Sequence, residues 1–206
     1  MGNKIRVGII GAGTIGSVHA NAYAKLEDVE LVALCDLLPD KLKAKAAQHN
    51  IPKTYATHQE LLADPDIDAV SVCVPNCSHA PIAIDAFKAG KNVFLEKQMT
   101  LNAKLGQDIL AARDAAKKVL QMGMVWRQNP IGELIHKDIT DGVLGDIYQI
   151  NIKLIRRRGI PGMGGWFTTK SQSGGGALID IAVHFLDLAM WSSNNWDPTR
   201  VSAKTY

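Results

Sequence analysis

Asp180 and His184 stand in a stretch, Ala177 to Ser192, that is otherwise almost wholly apolar. Burying a carboxylate and an imidazole is costly unless they pair with something or do chemistry. At 3.6 residues per turn, Asp180, His184 and Asp187 fall on one stripe of the predicted helix, so that stripe should line a cavity. A histidine with an ordinary pKa of about 6.5 can take a hydroxyl proton as hydride leaves the same carbon, and an aspartate one turn away can orient it or bind substrate. A third candidate is Lys97, which with Glu96 follows the apolar run Asn92 to Leu95. That run reads as a strand, and its carboxyl edge is where open α/β sheets bind ligands. Each feature alone has a commoner structural explanation: a capping aspartate, a satisfied core histidine, a surface lysine. Their combination carries the weight.

Hydride chemistry needs a carrier, and the N-terminus supplies a place for one. Gly11-Ala12-Gly13-Thr14-Ile15-Gly16 matches GxGxxG between an apolar run, Lys4 to Ile10, and a helical stretch, Thr14 to Leu26. In that context Gly11 makes the tight turn, Gly13 admits a pyrophosphate to the backbone, and Gly16 allows close helix packing. The N–H groups that open the helix, those of Thr14 and Ile15 among them, then face the anion. Asp36 ends the second apolar run twenty positions after Gly16, where a carboxylate accepts hydrogen bonds from the adenosine ribose. Leu37, Leu38 and Pro39 follow it, with no arginine to receive a 2′-phosphate. The expectation is NAD, with NADP disfavoured by repulsion from Asp36.

The elements that must position these residues alternate along the chain. Strands are predicted at Lys4 to Ile10, Glu30 to Cys35, Ala69 to Val74, Asn92 to Leu95 and Val119 to Met122. Helices are predicted at Thr14 to Leu26, Pro39 to His49, His79 to Ala89 and Ala103 to Lys117. That rhythm implies a parallel sheet covered by helices on both faces. Beyond about residue 123 the pattern changes. A helix is predicted at Pro130 to Thr140, then a long strand of alternating polarity from Asp146 to Arg156, a glycine-rich loop, the Ala177 to Ser192 helix, and a further strand from Val201 to Tyr206. The expected class is α/β: a Rossmann-type doubly wound parallel sheet in a cofactor domain, residues 1–123, followed by the start of an α+β substrate domain with an open, mainly antiparallel sheet, residues 124–206. The Ala177 to Ser192 helix, apolar almost all round, should be buried.

Composition excludes several classes. With 47% hydrophobic and 21% charged residues the chain can bury a core and is not expected to be disordered. A net charge of +3 with no long basic run disfavours nucleic acid; the triplet Arg156-Arg157-Arg158 reads better as a solvated strand edge. No run is expected to reach membrane-spanning length, and Met1 to Ile10 lacks a signal-peptide pattern. Cys35, Cys73 and Cys77 are odd in number and lack CxxC spacing, pointing to a reducing, cytoplasmic setting. The six histidines show no ligand spacing, so no metal is expected.

With these residues in view, the chain resembles the Gfo/Idh/MocA family of oxidoreductases. The motifs that carry the likeness are Gly11 to Gly16, Val74-Pro75-Asn76 with His79, Glu96-Lys97, and Gly174-Gly175-Gly176-Ala177-Leu178-Ile179-Asp180 followed by His184. The resemblance implies that Lys97 contacts substrate and nicotinamide, and that Asp180 and His184 bind and deprotonate substrate. It implies that Pro75, Asn76, His79 and Glu96 line the cofactor cleft and that Arg127, beside Trp126, lies near the nicotinamide. Gln98 stands where the family usually has proline, which would leave Lys97 less rigidly aimed.

The function so implied is NAD-dependent hydride transfer on a sugar, cyclitol or related polyol, in a homo-oligomer when full-length. Two alternatives stay open: a glycosidase using bound NAD for transient oxidation, and a non-catalytic nucleotide-binding protein or fragment. Family members continue through more of the antiparallel sheet, so the chain is expected to be truncated in its second domain. An unpartnered strand at Asp146 to Arg156 would then expose ladder groups and favour association.

Overall fold

The computed structural model describes residues 4–155, 157–159 and 164–204. They form two compact units, Met1–Gly123 with Gly162–Gly174, and Met124–Pro161 with Gly175–Tyr206.

The first unit is built on a six-stranded, all-parallel sheet ordered β3-β2-β1-β4-β5-β6. Its strands are β1 (Ile5–Ile10), β2 (Val29–Cys35), β3 (Lys53–Tyr55), β4 (Ala69–Val72), β5 (Asn92–Leu95) and β6 (Leu120–Met122). The helices between them are α1 (Thr14–Tyr23), α2 (Pro39–Gln48), α3 (His58–Ala63), α4 (His79–Lys88) and α5 (Ala103–Ala116). The strands are rich in Val, Ile and Leu because both faces are covered; Ile9, Ala33, Val72 and Leu95 have no exposed surface. Phe87 of α4 and Ile109 of α5 seal one side of that core, and Ala20 of α1 with Leu42 and Ala46 of α2 seal the other.

β3 and α3 are not among the expected elements. The signal for α3 was nevertheless local: Thr57 accepts from the Glu60 N–H, and the Glu60 carboxylate accepts from the Thr57 N–H, a reciprocal cap at T-x-x-E spacing.

Strand register fixes where chemistry can occur. Ile10 pairs with Cys35 on one side and Val72 on the other; Val72 pairs with Leu95, and Leu95 with Met122. Gly11, Asp36, Cys73, Glu96 and Gly123 therefore all leave the sheet at its carboxyl edge. Chain order reverses direction there, between β1 and β4, the switch point at which such sheets bind ligands. The segment 164–174 also belongs to this unit; it holds a 3₁₀ turn, Trp166–Thr168, and the short α7 (Lys170–Ser173).

The second unit pairs α6 (Pro130–Thr140) with α8 (Val183–Ser193), and the turn Val125–Gln128 packs on both. A methyl at Gly132 would lie 2.2 Å from the Trp126 carbonyl oxygen, so the turn and α6 approach closely only because that residue is glycine. His136 stacks on Trp191 at 3.9 Å, and Trp126 packs against Phe185.

Three expectations need correction here. Residues 146–155 form no strand, and Arg156 lies outside the described residues. A strand exists only as part of a ladder, and among the described residues nothing pairs with this one despite its alternating polarity. Residues 201–204 likewise form no strand, Thr205 and Tyr206 lying outside the described residues. Finally, Lys170–Ser193 is long and apolar enough to cross a membrane by length and composition, contrary to the expectation that no run is. It is interrupted at Gly174, whose φ of +88° ends α7.

Candidate functional site

The turn after β1 is shaped by backbone approach. Gly11 has φ +107°, and a Cβ there would sit 2.3 Å from the Cys73 carbonyl oxygen; a Cβ at Gly16 would sit 2.0 Å from the Gly11 carbonyl oxygen. Neither position admits a side chain. Gly13 differs: an added Cβ meets nothing within 4 Å. Gly13 is also the N-cap of α1 and supplies no side-chain cap, so the helix presents its opening amides, at Thr14 and Ile15, to open space. That open space and dipole fit the pyrophosphate of a dinucleotide.

Asp36 stands beside this cradle. Its Oδ2 accepts from the Ala12 N–H at 2.8 Å and from Lys41 Nζ at 2.9 Å, and its Oδ1 accepts from the Leu38 N–H at 3.0 Å. Burial alone would raise its pKa, but Lys41 and the two N–H groups outweigh it and hold the carboxyl below its ordinary value. A carboxylate offers about four acceptor positions, so Asp36 keeps capacity on Oδ1 for a ribose hydroxyl. Lys41 corrects the electrostatic argument drawn from sequence: a cation from the first turn of α2 pairs the charge that was to repel a 2′-phosphate.

Farther along the same edge, several expected cofactor contacts turn inward. Pro75 introduces the 3₁₀ turn Asn76–Ser78, and Asn76 donates through Nδ2 to the Ser173 carbonyl at 2.7 Å. His79 is 0% exposed, with Nδ1 2.6 Å from the Gln98 carbonyl oxygen and Nε2 3.0 Å from that of Val74. It therefore packs between two backbone turns and has no surface to offer a cofactor, which corrects its expected place in the cleft. Burial pushes its pKa down, against the pull of the two carbonyls.

Glu96 also faces inward. Oε1 lies 2.9 Å from His19 Nε2 on α1, and Oε2 accepts from the Lys97 N–H at 3.1 Å. His19 Nδ1 reaches Ser71 Oγ at 3.2 Å, and the Tyr23 hydroxyl reaches the same oxygen at 2.5 Å. Burial would raise the Glu96 pKa, but His19 and the Lys97 N–H hold it below its ordinary value. The carboxylate expected to line the cofactor cleft thus braces α1 against the end of β5. Lys97 follows on the turn between β5 and α5, and the Lys97–Gln98 peptide is cis.

In the second unit, Asp180 lies in a π-helical turn, Leu178–Ala182, and His184 in the first turn of α8. A π turn carries an extra residue and is often found at functional positions. The 3.6 period assumed for a single stripe therefore applies to His184 and Asp187, both in α8, but not to Asp180 in the π turn. Asp187 is engaged elsewhere: Arg127 donates to it through Nε at 2.8 Å and through a terminal nitrogen at 2.5 Å. The Arg127 guanidinium also lies 5.9 Å from the Trp191 ring centroid and 5.3 Å from that of Trp196. Arg127, expected near the nicotinamide, is a clamp within its own unit. The helix is also less buried than its composition suggested, with Leu178 and Leu186 more than half exposed. Among the described residues no cluster of His, Cys, Asp and Glu could hold a metal ion.

Residues 5–124 match the family model described as "Oxidoreductase family, NAD-binding Rossmann fold", and residues 133–206 match the GFO/IDH/MocA C-terminal domain. The chain belongs to the Gfo/Idh/MocA oxidoreductase family. It is 36% identical over 190 residues to D-glucoside 3-dehydrogenase of Escherichia coli (strain K12), covering 92% of this chain and 54% of that protein. It is 28% identical to inositol 2-dehydrogenase/D-chiro-inositol 3-dehydrogenase of Lactiplantibacillus plantarum, covering 92% of this chain and 53% of that one. Among solved structures it is similar to a putative NADPH-dependent oxidoreductase from Desulfitobacterium hafniense, with a TM-score of 0.84 and 26% identity, covering 93% of this chain and 55% of that one. The chain spans about half the length of the curated relatives it matches.

The first unit is the family's NAD-binding Rossmann fold, and the open space at Gly13 and the carboxylate of Asp36 stand at positions the motif points to. No motif points to His19, Ser71, Tyr23 and Lys41. Their side chains come from α1, β4 and α2, and only the folded sheet brings them to Glu96 and Asp36. Gln98, where the family usually has proline, was legible in the sequence only as a residue type. It is 8% exposed, and its Nε2 donates to the Ser173 carbonyl at 3.1 Å. The expectation of a loosely aimed Lys97 turn is corrected by this anchor.

Proposed function

We propose that the protein is an NAD-dependent dehydrogenase acting on a CH–OH group of a sugar, cyclitol or related polyol. The observation that carries the reading is the open, uncapped N-terminus of α1 at Gly13, set beside Asp36 at the switch point of the sheet. Residues 1–123 are the cofactor domain, with 164–174 packed into the same unit, and the rest of 124–206 belongs to the substrate domain. The relatives named as glucoside and inositol dehydrogenases support the substrate class.

Bound nicotinamide would accept or supply the hydride. The chain's own residues have the remaining work. The α1 amides and Gly13 hold the pyrophosphate, and Asp36 holds the adenosine ribose. Lys97 orients the substrate hydroxyl, Asp180 binds it, and His184 exchanges its proton, an imidazole having an ordinary pKa close to neutrality. NAD is preferred to NADP because Asp36 keeps an acceptor for a ribose hydroxyl, although Lys41 softens the discrimination. The protein works as a cytoplasmic homo-oligomer; the free thiols Cys35, Cys73 and Cys77 accord with a reducing compartment.

The test is a titration with NADH and NADPH, read by energy transfer from tryptophan to bound nicotinamide, followed by a polyol screen of the wild type and His184→Ala. Tighter binding of NADH, and turnover lost at least about 100-fold in His184→Ala, is the expected result. Undiminished turnover in that variant overturns the proton role. Tight NADH binding with no net turnover of any polyol favours a nucleotide-binding protein or a glycosidase that recycles its NAD.

A further inference from the structure

Three side chains converge on two backbone carbonyls beside Lys97, all within the first unit. Gln98 Nε2 and Asn76 Nδ2 both donate to the Ser173 carbonyl oxygen, at 3.1 and 2.7 Å. His79 Nδ1 stands 2.6 Å from the Gln98 carbonyl oxygen. All three side chains are buried, so none of these bonds competes with water. A neutral imidazole has one N–H and can donate to only one of its two carbonyl neighbours at a time; the Gln98 contact is the shorter.

Gln98 is the hinge of this arrangement because it takes part at both ends. Its carbonyl is fastened to α4 through His79, and its side chain is fastened to the C-terminal end of α7 through Ser173. Ser173 immediately precedes Gly174, where the left-handed turn ends α7 and the chain leaves for Asp180. A residue without a side-chain donor, proline included, could hold the Lys97 turn by its own backbone restriction but could not tie it to α7.

We propose that Gln98 is a positioning residue, whose side-chain amide locks the Lys97 turn to the end of α7 so that the two move as one body. The consequence for catalysis rests on the dehydrogenase reading; the mechanical coupling does not, and the two can fail separately. Gln98 acts here through Lys97 and Ser173, and no contact with substrate is assigned to it.

The test is amide hydrogen exchange on the 206-residue chain, with NADH titration as a parallel readout. In Gln98→Leu the donor is lost at similar volume. The expected result is exchange on the order of fivefold faster at Lys97, Ser173 and Gly174 together, with NADH affinity held within about twofold. Gln98→Glu supplies the decisive control. Its carboxyl can donate to the Ser173 carbonyl only when protonated, and when ionised it presents a second oxygen to that carbonyl. Relative to wild type at the same pH, protection should be near normal at about pH 5 and lost at about pH 8, since burial raises a glutamate's pKa. Because one folded variant is compared with itself across pH, a general packing defect would not follow this profile. Unchanged exchange in Gln98→Leu, loosening at only one of the two segments, or a Gln98→Glu variant indifferent to pH would each overturn the proposal. Loss of NADH binding in the wild type would count against the dehydrogenase reading and leave the coupling intact.

Discussion

A methyl group at Gly16 would strike the Gly11 carbonyl oxygen, whereas one at Gly13 would meet no protein atom within 4 Å. One motif thus holds glycines for opposite reasons, one for the protein's own packing and one for a ligand. Gly13 has φ −74°, which alanine adopts without strain. Gly13→Ala should therefore fold normally, with Tm within about 2 °C of wild type, yet lose at least about tenfold in NADH affinity as its methyl fills the pyrophosphate's space. Calorimetry and the energy-transfer titration on one sample check both halves, and an unchanged NADH affinity would remove the cradle from the site. The same residues mark how far sequence reaches at this scale. Gly11, Gly13, Gly16 and Asp36 were legible because their roles depend on backbone geometry and local spacing. The partners of Glu96, His79 and Arg127, which are His19, the Gln98 carbonyl and Asp187, were not legible, because side-chain direction depends on groups from other elements.

Elements are held together at the opposite edge of the sheet by charge. Asp64, at the end of α3, accepts from Lys53 Nζ and from the Tyr55 hydroxyl, both on β3, and from the Asp66 N–H. The Lys53 hydrogen bond, helped by Tyr55 and Asp66, holds the Asp64 carboxyl at about 2. An unfolded aspartate titrates at about 3.9, so the folded state favours the ionised form. The stabilisation is complete above that value and disappears as pH falls through about 2. Asp64→Asn should lower Tm by about 4 °C at neutral pH, and the gap from wild type should close as pH approaches 2. A gap that persists undiminished in acid would show that geometry rather than ionisation holds α3 to β3. The elements joined here were the ones absent from the sequence reading. β3 has three residues, too few for periodicity to register, although the Thr57 and Glu60 cap announced the helix after it. The strand expected at Asp146 to Arg156 failed for the converse reason: alternation describes which faces a strand would have and says nothing about whether a neighbour exists.

The two compact units differ in how completely they satisfy themselves. The Rossmann unit pairs every strand and seals both faces of its sheet, while residues 146–155 of the other unit have no ladder; Tyr148 is almost wholly exposed and Ile155 largely so. Limited proteolysis should therefore cut first within 146–155 and leave the sheet of Lys4 to Gly123 protected, as mass spectrometry of the fragments would show. First cuts inside β1 to β6 would contradict this division. By itself the sequence determined the parallel sheet, its cofactor edge and the family, because branched apolar runs, helical periods and glycines at a turn act over a few residues at a time. Tertiary structure alone decided which way Glu96 and His79 point, that Lys41 neutralises Asp36, that a π turn carries Asp180, and that Gln98 grips α7. Those outcomes depend on which distant groups arrive at a buried polar atom, and a polar atom removed from water takes whatever partner the fold brings to it.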